Sequence, residues 1–302
     1  MITFENQLVQ PIELLQKIVS KGGPEPHEYD LLMKMADYLS KEYESGNISE
    51  LDLQLMRNSF GEECLKATLH GHSIAKPYGY AGDFMIIDKF YRKHVTTDER
   101  FEKWDKFWQS CAATRAVRNR KTYFINTLTN LLKGKPQLEL LNVASGPARD
   151  LADLYSGINA GQLNTLCIEA DHRAIAYARE LNKAYREEIS FVEKNIFRYE
   201  TNKKFDVVWS AGLFDYFNDS VFVKIVRRFV SWTKPGGEII IGNFSECNSS
   251  RAFMELFGNW YLHHRSEEQL TQLAVQAGIE EKNIKVEREP EGINLFLHIL
   301  VS

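Results

Sequence analysis

Apolar and polar positions follow two different rhythms along this chain, and the change falls near residue 135. Before it the spacing is helical. In 27–46 (HEYDLLMKMADYLSKEYESG), Leu31, Met35, Tyr38 and Leu39 fall on one side of a helical turn, which predicts an amphipathic helix ending at Gly46. Residues 48–71 continue in the same manner, and a third helical stretch runs over 99–134. KPYGYAGDF (76–84) interrupts them with Gly, Pro and Tyr and cannot be a regular helix.

Beyond Pro136, short apolar runs alternate with helical segments. Strands are predicted over 138–144, 165–170, 189–195 and 205–212, and helices over 148–156, 173–184 and 220–233. A KPGG turn leads into a strand at 238–244; a helix at 266–277 and two strands near 283–289 and 294–301, expected to form a hairpin, complete the pattern. Such alternation predicts an α/β fold with a mostly parallel, Rossmann-like sheet, helices on both faces and right-handed crossovers. The expected division is an N-terminal helical cap or lid over 1–112 and a ligand-binding sheet domain over 113–302. No internal repeat or low-complexity segment is present.

Composition narrows the picture. With 302 residues, 44% of them hydrophobic and 26% charged, the chain can bury a sizeable core. A net charge of −4 argues against a nucleic-acid partner, which calls for a basic surplus. Cys64, Cys111, Cys167 and Cys247 lie far apart and form no CxxC pair, so neither a disulfide framework nor a metal site is expected. The opening MITFENQLVQPIELL lacks the basic and apolar regions of a secretory signal, and no apolar run is long enough to span a bilayer. The expectation is a cytoplasmic protein without stable membrane association.

Ligands of a doubly wound sheet bind beyond the carboxyl ends of its strands. Five signals fall at such ends. In NVASGPARD (142–150), Gly146 and the small Ala144, Ser145 and Ala148 let a ligand approach the backbone, and Pro147 suits the first position of the next helix. Glu169 and Ala170 end the second strand, where a carboxylate can bind ribose hydroxyls, while Asp171 suits a helix N-cap. Asn195 offers an amide to an adenine edge, with Ile196 packed on the ring. Ala211, Gly212 and Leu213 end the fourth strand; WTKPGGEIIIGNF (232–244) is the fifth signal.

Together these resemble the cofactor signals of class I methyltransferases, although the usual acidic residue is Asn142 and two usual glycines are Ala144 and Ala148. The resemblance implies S-adenosyl-L-methionine as cofactor and S-adenosyl-L-homocysteine as product. A NAD-binding domain would carry a fuller GxGxxG loop and lacks the KPGG turn and terminal hairpin. Three more stretches, KPYGYAGDF, TRAVRNRK (114–121) and NFSECNSSRAFMELFGNWYLHHRS (243–266), resemble bacterial methyltransferases of 3-hydroxypalmitic acid methyl ester biosynthesis, with His263 and His264 as a departure.

The expected activity is therefore methylation of a small molecule, with the carboxylate of a hydroxy fatty acid or another apolar acid as leading acceptor. Tyr78 and Tyr80 are expected to cover the pocket, and Asp83 to hold a ligand amine or cap a helix. Among Arg115, Arg118 and Arg120, the first two share a helix face suited to gripping a carboxylate, with Arg251 and Arg265 as further candidates. An ionised acid needs no base; a phenol or amine would need one, with Asp215, Tyr216, His70, His72 and His264 as candidates, and Tyr80 is a further catalytic candidate. His263 and His264 also read as surface or structural residues. No metal is expected. N-methylation of an amine-bearing natural product, and cofactor binding without catalysis, are the alternatives; a homodimer through the N-terminal helices is left open.

Overall fold

The computed structural model describes residues 9–302, so the first half of the opening segment read for a secretory signal lies outside the described residues. Helices α1 (Val9–Ser20), α2 (Tyr29–Glu44), α3 (Glu50–Asn58), α4 (Glu62–Ala67), α5 (Leu69–Ala75), α6 (Phe84–Tyr91), α7 (Glu102–Ser110) and α8 (Ala112–Lys133) come first. Then follow β1 (Leu138–Val143), α9 (Arg149–Tyr155), β2 (Leu163–Glu169), α10 (His172–Leu181), β3 (Ile189–Glu193), β4 (Phe205–Ala211), α11 (Asp219–Trp232) and β5 (Thr233–Phe244). The remainder comprises α12 (Arg251–Leu256), α13 (Glu267–Gln276), β6 (Ile284–Arg288) and β7 (Asn294–Leu300). The described residues fall into two compact units, one of residues 9–115 with 249–261, the other of residues 116–248 with 262–302.

In the helical unit, α2 ends before Gly46, whose φ of +75° only glycine adopts cheaply. Its buried stripe is Leu32, Met35, Ala36 and Leu39; Leu31 and Tyr38, expected on that face, lie at its margins. The stretch 48–71 is three helices and not one. Gly61 (φ +76°) separates α3 from α4, and Thr68 ends α4 and caps α5, its hydroxyl accepting from Gly71 N. The 99–134 stretch likewise breaks at Cys111, between α7 and α8.

In the sheet unit, the strand order among the described residues is β3-β2-β1-β4-β5-β7-β6. The first five strands are parallel, β7 runs antiparallel to β5, and β6–β7 form the expected antiparallel hairpin. Alternate residues face opposite layers. Leu140, Val207, Trp209 and Ile240 pack with Phe124 and Leu128 of α8 and Leu151 and Leu154 of α9, while Leu141, Val208, Ile239 and Ile241 pack with α11 and α13. Both faces are covered, which is why β1 and β5 read as near-continuous apolar runs.

KPGG differs from the expected turn: β5 already begins at Thr233, and the glycines sit in an irregularity between the Phe205–Thr233 and Val207–Glu238 pairs. Gly236 has φ +74° there, and a Cβ on Gly237 would lie 2.8 Å from Asp206 O, so the bulge requires both.

Candidate functional site

The chain winds from β1 outward through β2 to β3, then returns to lay β4 on the other side of β1. This places the switch point between β1 and β4, where open α/β sheets take their ligands.

The loop after β1 is a run of left-handed turns, with φ of +55° at Ala144, +52° at Gly146 and +50° at Ala148. Ala148 is the N-cap of α9, so the helix opens at Arg149 and not at Pro147. Ala144 N donates to Ile168 O, and Ala148 O receives Asn182 Nδ2 at 3.1 Å, so β2 and α10 hold the loop from outside. A Cβ on Gly146 would meet nothing within 4 Å; its backbone borders open space.

Glu169 ties this loop to the next strand ends. Its Oε2 accepts Gly146 N at 2.9 Å, and its Oε1 accepts Ala170 N and Asp171 N at 2.7 and 3.0 Å. Burial raises its carboxyl pKa against the pull of those three N–H groups. Three of about four acceptor positions are used, leaving one on Oε2. Asp171 caps α10 as expected, through Arg173 N. Lys194 N donates to Glu169 O at 2.8 Å, which brings the segment after β3 alongside. Gly146, Glu169 and the neighbour of Asn195 are thus linked through one residue. Asn195 is exposed and its Oδ1 caps Phe197 N, whereas Ile196 lies in the hydrophobic core.

Beyond β4, Gly212 (φ +93°) has a reason that the sequence conceals: a Cβ there would stand 2.8 Å from Arg120 Nη1. Arg120 belongs to the series Ala116, Arg120, Phe124, Leu128 and Leu132, four residues apart and all buried. It is the one charge on the core-facing stripe of α8. That position is a signal the sequence carries, since a buried guanidinium is kept only with partners. Its charge acts on two carboxylates. Burial pushes both Asp150 of α9 and Asp215 up to about 6, and Arg120 opposes the shift at each. Arg118 is half-buried beside it and Arg115 is exposed.

Asp215 sits in the 3-10 turn Phe214–Tyr216, 2% exposed, its Oδ1 accepting Phe244 N at 2.6 Å and its carbonyl accepting His263 N at 2.7 Å. Arg265, read as an acid grip, spends its guanidinium on this turn. Nη1 donates to Phe214 O and Asn243 Oδ1, Nη2 to Phe217 O and Asp219, and Nε to Asp219. Tyr216 is 40% exposed; Ala211, Gly212 and Leu213 are half-buried, Ser145 and Pro147 buried. Asn142, which stands where the resembled loop usually has an acid, is buried with Nδ2 unpartnered. His264 Nε2 contacts Asn248 Nδ2 at 3.2 Å.

In the helical unit, Asp83 caps α6, accepting Met85 N and Ile86 N at 3.0 Å, and contacts His72 Nε2 at 2.8 Å. Of its two expected roles, capping is the one observed. Tyr78 packs edge-on against Phe84, and Tyr80 is exposed. His70 belongs to the aromatic core, stacked 3.9 Å from Phe60 and accepting Trp108 Nε1–H; burial lowers its pKa to about 3, which makes it a poor base. Arg251 pairs with Glu255. No group of three or more metal-binding side chains occurs among the described residues, and no described helix is long and apolar enough to cross a membrane.

Residues 140–237 match the family model of a methyltransferase domain. No curated protein matches the sequence. Among solved structures, a possible exported protein from Bordetella parapertussis superposes with a TM-score of 0.62 at 17% identity, covering 97% of this chain and 95% of that one. Magnesium protoporphyrin IX methyltransferase from Synechocystis PCC 6803, with bound SAH, gives 0.50 at 11% identity, covering 72% and 98%. At such identities the likeness is one of fold. The strand order and the loop after β1 agree with that match: residues 140–237 are similar to a methyltransferase domain and lie on a Rossmann-like sheet.

Proposed function

We propose that the protein is an S-adenosyl-L-methionine-dependent methyltransferase acting on a small molecule, with the cofactor held over the carboxyl ends of β1, β2 and β4. The observation that carries this is the joint at Glu169, which links the glycine loop, the end of β2 and the segment after β3 by hydrogen bonds. The residues fit the group. Open space borders Gly146, Oε2 of Glu169 keeps an acceptor position, and Asn142 Nδ2 lacks a partner.

Bound there, the cofactor supplies a sulfonium methyl group for direct displacement by an acceptor. Ala144, Ser145, Gly146, Pro147 and Ala170 offer backbone; Glu169 holds the ribose, and Asn195 the adenine edge. Ala211, Gly212 and Leu213 border the transfer side. Arg120, with Asp150, suits a head group carrying both a carboxylate and an ammonium, since the guanidinium stands beside Gly212 and its charge acts on the Asp150 carboxylate. Asp150 thereby supplies the negative charge that Asn142 does not. Asp215, raised to about 6, is matched to accepting a proton from an acceptor that needs a base. Arg265 keeps the turn bearing Asp215 and Tyr216 in place.

The acceptor we favour is an apolar acid, including a hydroxy fatty acid, methylated on its carboxylate. An ionised carboxylate needs orientation and no base, and alignment of the reacting atoms supplies much of the rate. Acceptor-side roles for Tyr78, Tyr80, Arg115 and Arg118 rest on the sequence reading. Incubation with labelled cofactor and a panel of apolar acids should give base-labile methyl esters. Transfer only to amines or phenols would overturn the ester assignment, and binding of S-adenosylhomocysteine without any turnover would favour a regulator. A folded sample with no affinity for donor or product would sink the reading as a whole.

A further inference from the structure

β7 opens on Asn294, which pairs with Phe244, the last residue of β5. The level of Ala211, where β4 ends, corresponds to Gly242 and Phe296, so Asn294 stands two residues further toward the carboxyl edge. Its side chain is fully buried, and neither Nδ2 nor Oδ1 has a partner; among the described residues it is the one buried amide with both atoms unpaired. Exchanging the two amide atoms changes nothing, because neither has a partner.

The surroundings are satisfied by contrast. Glu289, itself 1% exposed, accepts Ile293 N at 2.8 Å and Asn294 N at 3.1 Å on Oε1. Its Oε2 accepts Glu291 N at 2.8 Å and Asn119 Nδ2 at 2.7 Å. The backbone of Asn294 is therefore fixed, and only its side-chain donor and acceptor remain unused. Buried polar groups are almost always paired, so an unpaired amide on a rigid frame at the ligand edge calls for a partner that comes and goes.

We infer that Asn294 recognises a hydroxyl group of the methyl acceptor, a conclusion that rests on the methyltransferase reading above. Oδ1 accepts the hydroxyl proton while Nδ2 donates to the hydroxyl oxygen. An ionised carboxylate has no proton to give and uses only Nδ2; an alkyl chain uses neither. The pair thus selects acceptors by a hydroxyl and rejects their deoxy analogues, the discrimination that buried polar groups achieve best.

Calorimetric titration of the protein loaded with S-adenosylhomocysteine tests this, using hydroxydecanoates with the hydroxyl on either of the two carbons next to the carboxylate, and plain decanoate. The wild-type protein should bind one hydroxylated acid at least about tenfold more tightly than decanoate. Asn294→Leu, nearly the same size, should bind all the acids alike while keeping its affinity for S-adenosylhomocysteine and its unfolding midpoint. Equal affinities in the wild type, no binding of any acid, or a preference that survives in Asn294→Leu would overturn the assignment. So would a fall in the unfolding midpoint with the preference intact, the mark of a merely structural amide. Failure to load S-adenosylhomocysteine would instead defeat the underlying reading, which separates the two.

Discussion

Two alanines hold left-handed backbone in the loop after β1, a conformation that costs a residue with a Cβ about 1–2 kcal/mol. Glycine removes that strain but loses roughly 0.5–1 kcal/mol to the greater freedom of its unfolded chain. The strain is the larger, so Ala148→Gly should stabilise the protein by roughly 0.5–1 kcal/mol, read as a higher midpoint in urea. Arg120 offers the opposite test. Removing a buried charge that opposes two carboxylates leaves them uncompensated. Arg120→Met should therefore cut affinity for S-adenosylhomocysteine by at least about tenfold. Arg118→Met, one turn-face away and half-buried, should leave it within about twofold; equal losses at both would undo the assignment of Arg120.

Elements in this chain are divided by single residues more than by composition. Gly71 of α5 shows the packing side of this: a Cβ there would lie 1.6 Å from Leu65 O of α4, so the two helices approach backbone to backbone. Gly71→Ala forces them apart and should destabilise the helical unit by about 3 kcal/mol or more, measurable as loss of helical signal at lower denaturant. Periodicity located α2 and its end at Gly46, but placed the buried stripe one residue off, because Leu31 and Leu32 are equally apolar and only packing chooses between them. On α8 the same rule, applied to every fourth residue, exposes Arg120 as the anomaly. Attention to the Arg115–Arg118 pair alone passes over it, since shared spacing says nothing about which face meets the sheet.

For the molecule as a whole, buried acids set the pH dependence. Asp105, Asp150 and Asp215 are all pushed by burial from an ordinary 3.8 up to about 6. Between those values the folded chain binds more protons than the unfolded one, so their contribution to stability is present at low pH and falls as pH rises through about 6. The protein should resist urea better at about pH 5 than at about pH 7.5 on their account, by about 1.4 kcal/mol for each group, since only about one pH unit of the shift lies above pH 5. Asp105→Asn, at a site accepting Leu69 N and Thr96 N, should flatten that slope; an unchanged slope would refute the assignment. Asp206 works the other way. Burial raises it, but Lys234 and Glu139 N hold it below its usual range, so its contribution disappears only in more acidic solution. The alternation of strands and helices, the terminal hairpin and the polar residues at strand ends were all written in the sequence, because residue period and turn chemistry are local. Which arginine meets Gly212, how Glu169 joins three segments, and why Asn294 is left without partners were decided only by the tertiary structure. Burial and pairing between residues distant along the chain arise when strands are set side by side, and no local pattern encodes them.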